Sequence, residues 1–356
     1  MARVLVADPA APDPAVLAAA AAHLRAGGLV AFPTETVYGL GADARSSDAV
    51  AAIFAAKGRP ADNPVIVHAA DAAGAWAVTT GPTVLAARLA AAFWPGPLTL
   101  VLPAAAGLPE AVRAGLPSVA VRVPAHPVAL GLLRAAGIPV AAPSANRSGR
   151  PSPTTAAHVL AELGDLPGLL ILDGGPCRVG LESTVVDVRG AAPVILREGG
   201  VSREAIATAL GMAAARGGTL GTDPETTGLP DIGASPGTRH RHYAPTCRVV
   251  VVAPGAGAEA AARIAADPEA RPVGAVLAGT AVAGTGDGAE VADAARADAR
   301  GLRTWRYRDA DALGAGLYGL LRAAEDAGVR TLVVEGVAET GIGRAVMDRL
   351  RRAAAG

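Results

Sequence analysis

Short apolar runs alternate with alanine-rich helical stretches over the first roughly 210 residues, the alternation that builds an α/β domain. Asp13-Pro14 opens a helix that closes near Gly27-Gly28, since proline suits a first turn and glycine a left-handed exit. The run 28–33 (GLVAFP) predicts a buried strand, followed by a helix over 47–57 and a strand (PVIVH) ending at His68. Further strands are predicted at 97–102, 119–123, 138–142, 168–172, 183–188 and 193–197. Helices are predicted near 82–93, 127–136, 154–163 and 202–210. Such a pattern implies a mixed sheet.

The periodicity fails over 211–247, which is rich in Gly, Pro, Thr and Asp and predicts a linker or mobile loop. A second α/β pattern starts at Arg248: a strand RVVVV, a helix 257–266, a strand PVGAVL, and a strand near 302–306. A helix 309–327, a strand TLVVE and a helix 343–352 complete it. The expected organisation is an α/β domain 1–210, a linker 211–247 and a smaller α/β domain 248–356. The turn after RVVVV carries Gly255 and Gly257, but Ala260 stands where a dinucleotide fingerprint needs its third glycine, and no acid ends the next strand. It predicts a tight strand-to-helix turn. No Gly-rich loop ends in Lys-Ser/Thr, so a Walker-type phosphate loop is excluded.

Charge narrows the function classes. The chain carries 32 basic and 32 acidic side chains, a balance that argues against tight nucleic-acid binding by phosphate neutralisation. Cys177 and Cys247 lie far apart, outside any metal-like or disulfide framework. The N-terminus shows no secretory pattern and the apolar stretch 16–30 is too short to span a bilayer, so a cytoplasmic protein is expected. One bias points towards chemistry. Lys57 is the sole lysine, Asn63 and Asn146 are the only asparagines, and glutamine is absent. A GC-rich coding background would produce such a bias and replace exposed lysines cheaply, so the survivors are candidates for positions where only that side chain serves.

Candidate chemistry falls into clusters, two of which hold the survivors. In residues 33–44 (PTETVYGLGADA) two threonines and a glutamate follow a buried strand, where α/β proteins place ligands, and Gly39 and Gly41 permit close backbone approach; a capped, glycine-marked turn is the equal alternative. Residues 56–68 (AKGRPADNPVIVH) put Lys57 and Arg59 near one helix end, able to converge on a polyphosphate; a lysine there is ordinarily solvated, and a favourable cation at a helix C-terminus is the plainer alternative. Residues 140–154 place Ser144 and Asn146 at a strand end, either to contact phosphate oxygens or magnesium-bound water, or to close an Asx-type turn. Arg122, inside VAVRVP, requires an acid: a carboxylate ligand or a structural ion pair. Ser183-Thr184 and Arg197 are further candidates at strand ends. No activated Ser/Cys–His pair is evident, so a covalent mechanism has no support.

Taken together these residues resemble the YrdC-like family in its long form, the threonylcarbamoyl-AMP synthases with an added C-terminal domain. The family's K-x-R…S-x-N signature stands as Lys57-Gly58-Arg59 and Ser144-Ala145-Asn146. FWPGPLTLVL (93–102), ESTVVDV (182–188) and ASPGTRHRHYAP (234–245) are similar to it as well. The resemblance implies a twisted open mixed sheet followed by a smaller, Rossmann-like α/β domain. It implies that L-threonine, bicarbonate or CO₂, and ATP with Mg²⁺ give threonylcarbamoyl-AMP and pyrophosphate, which a partner complex uses to modify tRNA. It would place Thr36, His68, Arg122, Ala142 and Ser183 around threonine. Arg59, Asn63, Ser118, Ser144, Ser152, Arg197 and Tyr243 would contact ATP, with Lys57 and Asn146 completing the catalytic signature. Tyr243 and the linker are expected to fold over the nucleotide. The alternative of another class is a non-catalytic double-stranded-RNA-binding or ribosome-associated module, which the neutral charge and the intact signature disfavour.

Overall fold

β-branched runs flanked by turn residues become the strands of a ten-stranded mixed sheet. In chain order they are β1 (Arg3–Val6), β2 (Val30–Phe32), β3 (Gly39–Asp43), β4 (Ile66–His68) and β5 (Leu98–Pro103). They continue as β6 (Ser118–Arg122), β7 (Val140–Ala141), β8 (Leu170–Asp173), β9 (Thr184–Asp187) and β10 (Val194–Arg197). Their spatial order is β1-β8-β2-β3-β7-β4-β6-β5-β9-β10. The computed structural model describes residues 1–212, 243–279 and 302–355. By internal contacts these fall into two units: the first holds 1–148, 152–177 and 182–212, and the second holds the remainder.

Eight helices are described in the first unit: α1 (Pro14–Arg25), α2 (Ser47–Lys57), α3 (Ala72–Trp76), α4 (Val84–Phe93), α5 (Glu110–Arg113), α6 (Pro127–Ala136), α7 (Ala156–Leu163) and α8 (Arg203–Ala209). Caps fix their ends: Asp13 accepts from Ala15 N before α1, and Ser46 accepts from Ala49 N before α2. Leu17, Leu24, Leu132 and Leu133 of α1 and α6 cover Val30, Phe32 and Val140 on one side of the sheet. Val50 and Ile53 of α2, Leu89 of α4 and Val159 of α7 cover Leu40, Val67, Val121 and Ile171 on the other. Side chains alternate across a strand. With Val67 and Val121 turned towards α2, His68, Ser118, Ala120 and Arg122 share the opposite face, where Ile66, Val101, Ala120 and Val185 form a small apolar cluster.

Two strands depart from the sequence expectation. Residues 39–43 read as a glycine-marked turn yet form β3, antiparallel to β2 and β7. Glycine is required at 41 because a Cβ there would lie 2.8 Å from Phe32 and from Val140. Packing against a large neighbour outweighs glycine's low strand preference. β1 is an edge strand among the described residues, paired with β8, and its exposed face hides it from a burial-based reading.

The second unit is built on a four-stranded parallel sheet, β11 (Arg248–Val252), β12 (Val273–Ala278), β13 (Arg303–Tyr307) and β14 (Thr331–Glu335), in the order β11-β14-β12-β13. Helices α9 (Gly257–Ala265), α10 (Ala310–Asp326) and α11 (Gly343–Ala354) accompany it. Its glycine-bearing turn after β11 is occupied from within: Gly255 N donates to Glu335 Oε1 at 2.7 Å. A protein carboxylate thus takes the amide that a dinucleotide phosphate would use. Residues 149–151 and 178–181 also belong to this unit. The Arg150 guanidinium forks onto Glu325 at 2.7 and 2.8 Å, and Arg322 Nη2 reaches Pro151 O at 2.5 Å. Burial alone would push the Glu325 carboxyl up, but hydrogen bonds from Arg150 and Thr246 N hold it below the ordinary range. No helix among the described residues is long and apolar enough to cross a membrane.

Candidate functional site

The chain leaving β2 folds into a turn built on Thr34. Its hydroxyl donates to Val37 O at 2.6 Å and accepts from Thr36 N and Val37 N. The hydroxyls of Thr34 and Thr36 stand 2.8 Å apart. Because the one proton of Thr34 is committed to Val37 O, Thr36 is the donor of that pair. Arg122 Nη1 in turn donates to Thr36 Oγ1 at 3.0 Å. Thr36 therefore faces any further partner as an acceptor only, which suits a ligand that brings its own hydroxyl proton.

Arg122 is fixed on every side. Its Nη2 lies 2.9 Å from Glu35 Oε1, and its Nε donates to Gly96 O. Glu35 Oε2 also accepts from Ala125 N. Both members of the ion pair are about 3 % exposed or less, and Thr36 is fully buried. The acid that a buried Arg122 demands is supplied by the protein, which realises the structural ion pair left open by the sequence. Two of its guanidinium protons are still in excess of these contacts.

His68 sits across from Arg122 in the β4–β6 ladder and meets the edge of Phe32 at 6.1 Å. Burial first, and the Arg122 cation second, push its pKa down to about 3, so the imidazole is neutral at physiological pH. Its Nδ1 has no hydrogen-bond partner among the described residues. Ala142 N is bonded to Ile66 O, which joins the end of β7 to β4.

A second group gathers around the turn 144–146. Gly39 bridges to Ser144, Leu40 N donates to Pro143 O and Ala145 N donates to Tyr38 O, so the entry to β3 holds one side of this turn. On the other side Lys57 Nζ donates to Ser144 O at 2.6 Å and Asn146 O at 2.5 Å. Lys57 is only 3 % exposed, against the expectation that a lysine ending a helix is solvated. The αL turn at Gly58 ends α2 by conformation and leaves the lysine free to run inward. Arg59, beyond that cap, donates to Asn63 O and Pro64 O. Asn63 is 1 % exposed, and neither its Oδ1 nor its Nδ2 has a partner among the described residues; Ser118 Oγ is buried in the same way. Buried polar atoms of this kind cost about 1–3 kcal/mol each unless a ligand or water completes them.

The remaining candidates lie at the mouth of β9. Ser183 Oγ pairs with Thr99 Oγ1 at 2.7 Å, and Arg197 wraps Ser183 through its carbonyl and hydroxyl oxygens. Ser152 Oγ donates to Glu182 Oε1 at 2.7 Å. Thus Thr36 and Arg122 are joined directly, with His68 beside Arg122 in the ladder, Lys57 joins Ser144 and Asn146, Arg59 joins Asn63, and Arg197 joins Ser183. Tyr243 belongs to the second unit, where its ring stacks on Tyr318 at 5.5 Å under the Arg349 guanidinium. The linker expected over 211–247 lies outside the described residues from 213 to 242. Two open clefts of about 790 and 420 Å³ on the first unit share Ala70, Asp71 and Arg134, and none of the candidate residues lines either.

Sequence reasoning placed Thr34 and Glu35 in the strand-mouth cluster without assigning them a partner, and missed Thr99 and Glu182 as members of these networks. For Glu35 a signal existed: Arg122 needed a buried acid, and the quoted strand-mouth cluster holds two carboxylates, Glu35 and Asp43, of which Asp43 pairs with Arg45. Nothing local marks Glu182 as the partner of Ser152, which is 30 positions away.

Residues 22–199 match the family model Sua5_yciO_yrdC, described as telomere recombination, and residues 201–355 match one described as threonylcarbamoyl-AMP synthase, C-terminal domain. A threonylcarbamoyl-AMP synthase of Bacillus subtilis (strain 168) is 41 % identical over 99 % of this chain and 96 % of its own length. One from Pyrococcus abyssi is 42 % identical over 94 % of this chain and 92 % of its own. A crystal structure of P. abyssi Sua5 complexed with L-threonine superposes with a TM-score of 0.83 at 39 % identity, covering all of this chain and 98 % of that one.

Proposed function

Since the chain belongs to the threonylcarbamoyl-AMP synthase family in its two-domain form, we propose that it joins L-threonine, bicarbonate or CO₂, and ATP into threonylcarbamoyl-AMP with release of pyrophosphate. The single observation that carries the threonine half is the acceptor-only hydroxyl of Thr36, pinned by Thr34 and Arg122 beside a neutral His68. In this reading the substrate hydroxyl donates to Thr36, and Arg122, Ala142 and Ser183 border the amino acid. The buried Asn63 and Ser118, with Ser144, Ser152, Arg59 and Arg197, meet the nucleotide. The reaction carboxylates the threonine amine, and a carbamate oxygen then attacks the α-phosphorus as pyrophosphate leaves. Orientation and charge neutralisation suffice for such a step, and the residues present offer those rather than a strong base.

Magnesium is assigned to the triphosphate rather than to a resident site. Ser144 and Asn146 supply neutral oxygen donors of the kind it accepts, and the described residues contain no group of three or more His, Cys, Asp or Glu able to hold an ion. Bound there, it would neutralise phosphate charge. The product is assigned to a cytoplasmic complex that transfers the threonylcarbamoyl group to tRNA. Tyr243 is assigned to the nucleotide on the family resemblance alone. The test is pyrophosphate release by purified protein, required to depend on threonine and bicarbonate together; release with ATP alone contradicts the reading.

A further inference from the structure

We propose that Lys57 is a positioning residue that sets the Ser144–Asn146 turn, and that it does not contact the nucleotide phosphates. A phosphate-binding lysine keeps its ammonium at the mouth of a cleft, hydrated until the ligand arrives. Lys57 is instead buried at 3 % exposure, with its nitrogen directed at two main-chain carbonyls, Ser144 O and Asn146 O, at 2.6 and 2.5 Å. The contact is reciprocal, because Ser148 N donates back to Lys57 O at 2.9 Å. The turn is therefore clamped from two sides. Tyr38 O and Leu40 N hold residues 143–145 from the entry to β3, and Lys57 holds 144–148 from the end of α2. Carbonyls pinned in this way fix where the Ser144 hydroxyl and the Asn146 amide point.

The geometry also accounts for the composition. Two carbonyls separated by one residue converge on a single point, which a compact tetrahedral nitrogen fits. The planar fork of arginine matches a carboxylate or phosphate and is too broad for that space. Burial supports the same choice, since an amine can give up its charge and still donate two hydrogen bonds, whereas a guanidinium stays charged. In a chain that uses arginine at every other strongly basic position, this is the one place where arginine fails. Arg59, half-exposed beyond the αL cap at Gly58 and donating to Asn63 O and Pro64 O, is the cation of the pair that stays nearer the surface.

The inference rests on the reading that Ser144 meets ATP, and two experiments separate the two claims. As the sole lysine, Lys57 can be followed without mutation by reductive methylation of the native protein and peptide mapping, with the N-terminal amine as the internal control. The expected result is a modified N-terminus and an unmodified Lys57, with or without ATP, until denaturant is added. Rapid modification of Lys57 that ATP suppresses would overturn the inference. The second experiment is a cycle of Lys57→Met and Ser144→Ala. Methionine keeps the volume and removes both hydrogen bonds, and KM for ATP should rise about tenfold while KM for threonine changes less than about twofold. In the Ser144→Ala background the same substitution should change KM for ATP less than about twofold, because its effect runs through the turn. Full multiplicative effects would mean that Lys57 acts on ATP independently, and the inference would be wrong. If Ser144→Ala alone leaves KM for ATP unchanged, the nucleotide reading of Ser144 fails, while the labelling result still decides where Lys57 points. Should Lys57→Met not fold, the labelling of the native protein stands as the test.

Discussion

Removing one member of the Glu35–Arg122 pair should cost far more than removing both. Each group is at most about 3 % exposed, so neither can recover water once its partner is gone. Glu35→Leu leaves Arg122 with Gly96 O and Thr36 Oγ1 but no counter-charge, and it also strips Ala125 N of its acceptor. Arg122→Met leaves a buried carboxylate whose one remaining donor is Ala125 N. Breaking a buried pair costs about 3–5 kcal/mol, whereas replacing both partners with apolar groups of similar size is often close to neutral. Set against a typical total of about 5–15 kcal/mol, either single change would consume a large part of the stability. The double variant should recover at least about 2 kcal/mol relative to the sum of the singles. Hydrogen exchange read on peptides from β4 and β6 is the appropriate assay, since it reports the first unit alone and avoids treating a two-unit chain as two-state. Additive losses in the double variant would show that the two charges do not stabilise each other, and the ion-pair account of Arg122 would be refuted.

Two further outcomes follow from the same geometry. Thr36→Val removes the acceptor assigned to the substrate hydroxyl and should narrow the preference for threonine over valine by about 1–3 kcal/mol, roughly ten- to a hundredfold, in competition assays of pyrophosphate release; an unchanged preference would remove Thr36 from the amino-acid site. His68, with its pKa pushed down to about 3, binds its proton less readily in the folded chain than in the unfolded one. Its stabilisation is therefore fully present above the unfolded value of about 6.5 and is lost as pH falls from there towards 3, at up to about 1.4 kcal/mol per pH unit. His68→Gln should flatten that acid slope in melting temperature against pH, and an identical slope in the variant would contradict a buried neutral imidazole.

The architecture was largely legible because the strands that position the site are apolar runs bounded by turn residues, and β4, β6, β9 and β10 each fall within a residue or two of their predicted spans. β3 was not, since Gly39 and Gly41 argue locally for a turn; only the Phe32 and Val140 side chains packed on Gly41 explain why glycine lies in a strand. Candidate site residues were marked where rarity or local mismatch exposed them, as with the sole lysine or an arginine inside VAVRVP. What each does was less so. Lys57 was expected to be solvated because helix-terminal lysines usually are, and its inward course depends on carbonyls some 90 positions away, at Ser144 and Asn146. Thr36 illustrates the same limit, for its donor and acceptor sense is set by Thr34 and Arg122 together and cannot be read from its own position.

The most direct test of the central claim is the mass of the product. Purified protein incubated with ATP, magnesium, threonine and ¹³C-bicarbonate should yield threonylcarbamoyl-AMP carrying one ¹³C, with pyrophosphate formed in equal amount. Lys57→Met should lower its yield at limiting ATP. An unlabelled adenylate of threonine, or labelled product formed equally well from valine, would contradict the account of a site that first holds a carbamate of threonine and then passes it to the α-phosphate.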